Sequence, residues 1–97
     1  MAGPFAVLYH AGTHDDLDLL PRNLIARITR AADERLSQAP DRYGERLRKA
    51  LKGFWKLRVG DHRVIYEISG REVRVFAIMN RRDVYDRIMS RLSQGWR

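Results

Sequence analysis

Cysteine is absent from the chain of 97 residues, which excludes a disulfide framework, a thiolate metal site and a cysteine nucleophile. Histidine is scarce. His10, His14 and His62 stand far apart, with no His-x-x-x-His or carboxylate spacing around them, so neither a zinc site nor any other metal or cofactor is expected. No apolar run approaches the roughly 20 residues that a membrane span needs. The N-terminus lacks the basic start and long apolar stretch of a signal peptide. The default expectation is a soluble cytoplasmic protein with no membrane partner.

Lysine, too, is sparse. Lys49, Lys52 and Lys56 are the only lysines among 19 basic residues, the remainder being arginine, against 12 acidic ones. A net charge of +7 on so small a chain implies a surface potential that attracts polyanions. Arginine's planar fork suits two-point contact with phosphate, which points to nucleic acid ahead of an acidic protein. The length is that of one domain, spanning residues 1–97, with room for one modest core.

Residues 53–82, GFWKLRVGDHRVIYEISGREVRVFAIMNRR, organise the rest. Runs rich in Val, Ile, Phe and Tyr, separated by Gly60-Asp61 and Ser69-Gly70-Arg71, read as an antiparallel meander over 54–80. A two-residue loop at Gly60-Asp61 sets Val59 opposite His62 and Arg58 opposite Arg63, with Lys56 on the same face. Like charges on neighbouring strands repel, and a polyanion would justify them. Trp55, Leu57, Val59, Val64 and Tyr66 form the other face, facing a core, and His62 follows them. The register of the last strand stays open. A three-residue loop at Ser69-Gly70-Arg71 puts Arg81 on Arg63's face, and a two-residue loop at Gly70-Arg71 puts it on the other.

Phe5 to Tyr9 read as an opening strand at a sheet edge. Ala11-Gly12-Thr13 reads as a turn, with Thr13 capping a helix whose first turns hold Asp15, Asp16 and Asp18. Those aspartates suit a helix start better than a metal or a catalytic pair. Pro21 opens a second helix or kinks a continuous one, and Leu24, Ile25, Ile28, Ala32 and Leu36 recur at helical spacing up to Pro40. Arg22, Arg27, Arg30 and Arg35 lie off that stripe and read as its solvated outer face. Leu47 and Leu51 suggest a helical turn anchoring the basic connection that carries Arg48, Lys49 and Lys52. After Asn80, Val84, Ile88 and Leu92 mark a final helix ending at Gly95, with Tyr85 in its first turn. The expected class is α+β: an N-terminal strand and helical hairpin on one face of a mainly antiparallel sheet, a basic face opposite, and a C-terminal helix.

The run LKGFWKLRVGDHRVIYEI, followed after one strand by NRRDVYDRI, resembles the core signature of the RelE/ParE superfamily of toxins from type II toxin–antitoxin pairs. Gly53, Leu57-Arg58-Val59-Gly60, Arg63, Tyr66 and the segment 81–85 carry the likeness. It implies that the chain is a RelE-like toxin that inhibits translation as a ribosome-dependent, metal-independent mRNA endoribonuclease. In such enzymes a 2′-hydroxyl attacks the adjacent phosphate, leaving a 2′,3′-cyclic phosphate. By the same likeness Lys56, Arg63, Arg81 and Tyr85 fall on positions that are basic or tyrosine in active members. Two positions depart from the pattern: Phe54 stands where well-known relatives have a further lysine, and Asn80 near where some have a histidine.

Phosphoryl transfer asks for such residues on its own terms, because charge accumulates on the non-bridging oxygens and a proton must leave the 2′-oxygen and reach the 5′-oxygen. Lys56 and Arg63 are the charge-stabilising candidates, Tyr85 the base and Arg81 the acid. Arg48, Lys49, Lys52, Arg58, His62 and Arg82 are expected to bind RNA. The implied partners are the ribosome, mRNA and a cognate antitoxin acidic at its C-terminal end, with operator DNA reached only through the antitoxin complex. Two alternatives stand beside this reading: a ParE-like inhibitor of DNA gyrase, and a non-catalytic homologue acting with its antitoxin on operator DNA.

Overall fold

The computed structural model describes residues 4–97. Strand β1 (Ala6–Tyr9) leads into helices α1 (Ala11–Asp18), α2 (Arg22–Gln38) and the short α3 (Pro40–Tyr43). Strand β2 (Glu45–Arg46) and one 3-10 turn (Lys49–Leu51) precede β3 (Trp55–Val59), β4 (His62–Ser69), β5 (Glu72–Asn80) and helix α4 (Val84–Ser93). The sheet order is β1-β5-β4-β3-β2, with β1 parallel to β5 and every other pairing antiparallel. The α+β architecture and edge strand expected from the sequence are both present.

The helix stripe behaves as its periodicity demands. Ile28, Ala32 and Leu36 are buried, Leu17, Leu20 and Leu24 pack around them, and together they cover Leu57, Val59, Val64, Tyr66 and Val75 on one face of the sheet. Pro21 takes the N-cap position of α2, so the chain forms two helices.

Two local expectations are corrected, and a third is met with added structure around it. Helix α1 begins at once after β1, capped by His10 and not by Thr13: His10 Nδ1 accepts from the Gly12 N–H at 2.9 Å, and Thr13 is inside the helix, its hydroxyl bonded to the His10 carbonyl. The side chain of histidine supplies an acceptor as an aspartate would, a cap that composition does not flag. The stretch after Pro40 adds a short helix and a two-residue strand to the helical turn expected there, which forms in 3-10 geometry at Lys49–Leu51 and is anchored by Leu47 and Leu51. Asp16 is no helix-start carboxylate. Beyond Tyr9 the outer edge of β5 loses its strand partner, and Asp16 Oδ2 accepts from the Ile78 N–H at 3.0 Å. Arg91 from α4 donates to both Asp16 oxygens, at 2.9 and 2.8 Å, and to the Phe76 carbonyl at 2.9 Å. This buried pair stands in for the missing strand.

The meander has the register expected at its first turn, with Val59 opposite His62 and Arg58 opposite Arg63. Gly60 sits at φ +60°, as the first central residue of a II′ hairpin turn requires. At the second turn Ser69 pairs with Glu72, which makes the loop Gly70-Arg71. That loop alone would send Arg81 to the face away from Arg63. A bulge intervenes: Ile65 pairs with Ala77 while Tyr66 pairs with Val75, so Phe76 is the extra residue and the phase shifts by one. Arg63 then faces Met79, and the alternation carries Arg81 back to Arg63's side.

That second face is less bare than the alternation implies. Ile65, Ala77, Met79 and Leu47 are sealed by Val84 and Ile88 of α4, with Phe54 and Leu92 at the margin. The apolar patches thus belong to a second small core, and the cations stand at its border.

Candidate functional site

Strand β3 delivers Lys56 and Arg58 to the face covered by α4, since alternate residues share a face and Trp55, Leu57 and Val59 occupy the other. Tyr85 projects from the first turn of α4 and is 54% exposed. Lys56 Nζ donates to Tyr85 Oη at 3.5 Å, and Glu45 Oε2, on the neighbouring β2, lies 4.0 Å from the same ammonium.

Arg63 and Arg81 meet at the β3–β4 turn. Arg63 Nη1 donates to the carbonyls of Gly60 and His62, each at 3.0 Å. The backbone N–H of Arg81 donates to the Asp61 carbonyl at 2.8 Å, and its Nε lies 3.7 Å from the exposed Asp61 carboxylate. Asn80 Oδ1 accepts from the Arg82 N–H at 3.0 Å, which shapes the bend that delivers Arg81. The quartet therefore arrives as two pairs on one side of the sheet, Lys56 with Tyr85 and Arg63 with Arg81. Among the described residues no hydrogen bond or ion pair joins one pair to the other.

Arg58, exposed and opposite Arg63, has no hydrogen-bond or ion-pair partner among the described residues. Arg48, Lys49 and Lys52 line an open groove of about 830 Å³ beside the β2–β3 loop, floored by Leu47 and Phe54. Lys49 has φ +57°, the one non-glycine residue in the left-handed region among those described. Arg82 is exposed in the bend before α4. His62 is different. It is 8% exposed and lies on the helical-hairpin face with Val64 and Tyr66, so the expectation that it contacts RNA is corrected: the alternation of β4 turns it inward.

The two departures from the resemblance have structural occupations. Phe54 packs edge-on against Phe76 at 5.5 Å between centroids, an aromatic contact that a lysine would give up. Asn80 is the hinge of the bend already described.

Sequence reasoning misses Asp16 and Arg91. The pair fixes α4 against α1 and β5, and hence the direction of Tyr85. Hydrogen bonding to Asp16 raises the Arg91 pKa further above its ordinary range, outweighing burial, which acts to lower it. Gly12 makes the approach of Arg91 feasible, since a Cβ there would lie 2.4 Å from its Cζ.

Among the described residues no cluster of three or more His, Cys, Asp or Glu side chains could hold a metal, and no helix is long and apolar enough to cross a membrane. Fold and site together define a small basic α+β domain with a cationic rim around a sheet face half-covered by its last helix. That class corresponds to a known one. Residues 7–85 match the family described as ParE toxin of type II toxin–antitoxin system, parDE, and the chain belongs to that family, within the RelE/ParE superfamily. It is 31% identical over 86 residues to Toxin RelG of Mycobacterium tuberculosis strain H37Rv, covering 87% of this chain and 99% of that protein. The toxin–antitoxin complex RelBE2 of the same species contains a chain that superposes with TM-score 0.76 at 29% identity, covering 80% of this chain and 92% of that one. The RelB–RelE complex of Methanococcus jannaschii shares the fold, with TM-score 0.61 at 19% identity over 81% of this chain and 95% of that one.

Proposed function

We propose that this toxin is an mRNA endoribonuclease of the RelE type, working on the ribosome without a metal and thereby stopping translation. The observation that carries the reading is the meeting of Lys56 Nζ and Tyr85 Oη at 3.5 Å on the face that also holds Arg63 and Arg81. In-line attack on a phosphodiester uses both groups, a hydroxyl to take the proton and an ammonium to hold the developing charge. The 2′-oxygen bonds to phosphorus as the bond to the 5′-oxygen breaks. Tyr85 takes the 2′ proton, Arg81 supplies one to the leaving 5′-oxygen, and Lys56 and Arg63 hold the charge on the non-bridging oxygens. Arg81 is tied to an exposed carboxylate, Asp61, which the RNA backbone must displace.

Arg48, Lys49, Lys52, Arg58 and Arg82 extend the contact to neighbouring phosphates, in mRNA or ribosomal RNA. A cognate antitoxin, acidic where it crosses these cations, would neutralise them, as the toxin–antitoxin complexes among the structural relatives suggest. Operator DNA would be reached through that complex. The cytoplasm is the compartment where all these partners meet. A second reading, inhibition of DNA gyrase, is favoured by one finding, that the matched family is that of the ParE toxins.

Induction of the wild type and of Arg81→Ala/Tyr85→Phe, with 5′ ends mapped on translated and untranslated transcripts, separates the two. New 5′ ends confined to translated mRNA, lost in the variant, are expected. Growth arrest with intact mRNA and an SOS response would replace the nuclease by the gyrase reading.

A further inference from the structure

Four arginines of α2 read from the sequence as a solvated outer face, and the structure separates one from the rest. Arg27 leans past the end of the sheet onto the β3–β4 turn: its Nη2, Cζ and Nη1 lie 3.8, 3.9 and 3.9 Å from where a Cβ on Gly60 would stand. Three atoms of one planar group at almost equal distance mean that the guanidinium lies flat over the glycine. Arg27 has no hydrogen-bond or ion-pair partner among the described residues, so its five N–H donors are uncommitted.

The same two-residue turn already carries Arg63 on the Gly60 carbonyl and Arg81 on the Asp61 carbonyl and carboxylate. Guanidinium groups from α2, β4 and the bend after β5 therefore gather at one turn that holds a single carboxylate, Asp61. Arg63 and Arg81 have partners within the turn, but Arg27 has none, and Asp61 offsets only part of the like charge gathered there. Each fork suits a phosphate, and three forks set around a tight turn suit successive phosphates of one strand.

We infer that Arg27 is a phosphate-binding residue of the nucleic-acid site, forming with Arg63 and Arg81 a three-arginine clamp around the Gly60-Asp61 turn that holds the RNA backbone beside the reacting phosphate. The inference rests on the nucleic-acid reading of the site and extends it to an element on the opposite face of the sheet. Arg27 is a binding residue, and takes no part in proton transfer.

The test uses the full-length protein and a fluorescein-labelled single-stranded RNA carrying 2′-O-methyl groups throughout, which cannot be cut. Affinity is measured by anisotropy at several salt concentrations. Arg27→Ala should weaken binding about fivefold or more at low salt and reduce the slope of log K against log salt by about 0.7, the value for one phosphate on a single strand. Arg27→Gln, which keeps a planar group over Gly60 without the charge, should lose as much, and Arg27→Lys should keep the slope. Arg35→Ala, the same charge removed about 12 Å further along the helix, should leave the slope within error of wild type. An unchanged slope in Arg27→Ala, or an equal loss in Arg35→Ala, overturns the clamp. Because the probe is uncleavable, the outcomes separate: Arg27-dependent binding without mRNA cleavage removes the nuclease reading alone, and cleavage with Arg27-independent binding removes the clamp alone. No RNA binding by the wild type removes the clamp and leaves the ribosome-dependent nuclease reading to the mapping of 5′ ends.

Discussion

Lys56, Arg58 and Arg63 can be placed on one face from sequence alone because the side-chain period of a strand is two and Gly60-Asp61 pins the register. Asp16 and Arg91 cannot. They lie 75 positions apart, and nothing local distinguishes Asp16 from Asp15 and Asp18, which stay exposed. What selects Asp16 is a tertiary vacancy, the edge of β5 beyond the end of β1. A buried pair of this kind is costly to halve, because the survivor is left charged and unpaired. Arg91→Leu, or Asp16→Asn with Arg91 intact, is expected to cost about 3–5 kcal/mol in urea unfolding. Asp16→Leu combined with Arg91→Leu should cost less than the sum of the two single truncations, since neither charge is stranded. Near-wild-type midpoints for the single variants would show that the pair does not hold α4 in place.

Among the elements, the meander, the α2 stripe and the last helix follow their hydrophobic periods, which is why they are legible. The bulge at Phe76 is not, because it depends on how β5 meets two neighbours at once, and it decides which face Arg81 reaches. The segment between α2 and β3 also resists reading: its backbone is held by contacts with other elements. Tyr66, wholly buried on β4, donates to the Pro40 carbonyl at the start of α3. Gly44 admits that hydroxyl, as a Cβ there would sit 1.8 Å from Tyr66 Oη and 3.1 Å from the Lys56 carbonyl. Neither neighbour is a flexible chain end that can swing aside. Gly44→Ala is therefore expected to cost about 1–3 kcal/mol by overpacking. Tyr66→Phe, which strands the carbonyl, should cost about 1–3 kcal/mol by lost hydrogen bonding. Because β2 and Lys56 ride on this junction, Gly44→Ala should also weaken RNA binding more than a surface change of equal stability cost. Equal binding at matched stability would show that α3 and the site are independent.

Across the whole molecule, two phenols that must stay protonated add hydrogen bonds to the apolar attachment of the helical layer. Tyr9 on β1 donates to Asp33 of α2 at 2.5 Å, and burial first, then that bond and the carboxylate's charge, push its pKa far above the ordinary tyrosine value near 10. Tyr66 is raised likewise, by burial and then by the charge of Asp41. In the unfolded chain both titrate near 10. The folded state therefore binds their protons more tightly, and the resulting stabilisation is complete below about pH 10 and declines as pH rises beyond it toward the folded values. Urea midpoints should hold from pH 8 to 9.5 and fall between 10 and 12. Comparison of the wild type with a variant lacking both hydroxyls isolates the phenols. Tyr9→Phe/Tyr66→Phe should start lower at pH 8, having lost both hydrogen bonds, and then fall less steeply than wild type above pH 10. Parallel slopes would mean that the two phenols ionise as readily in the fold as outside it.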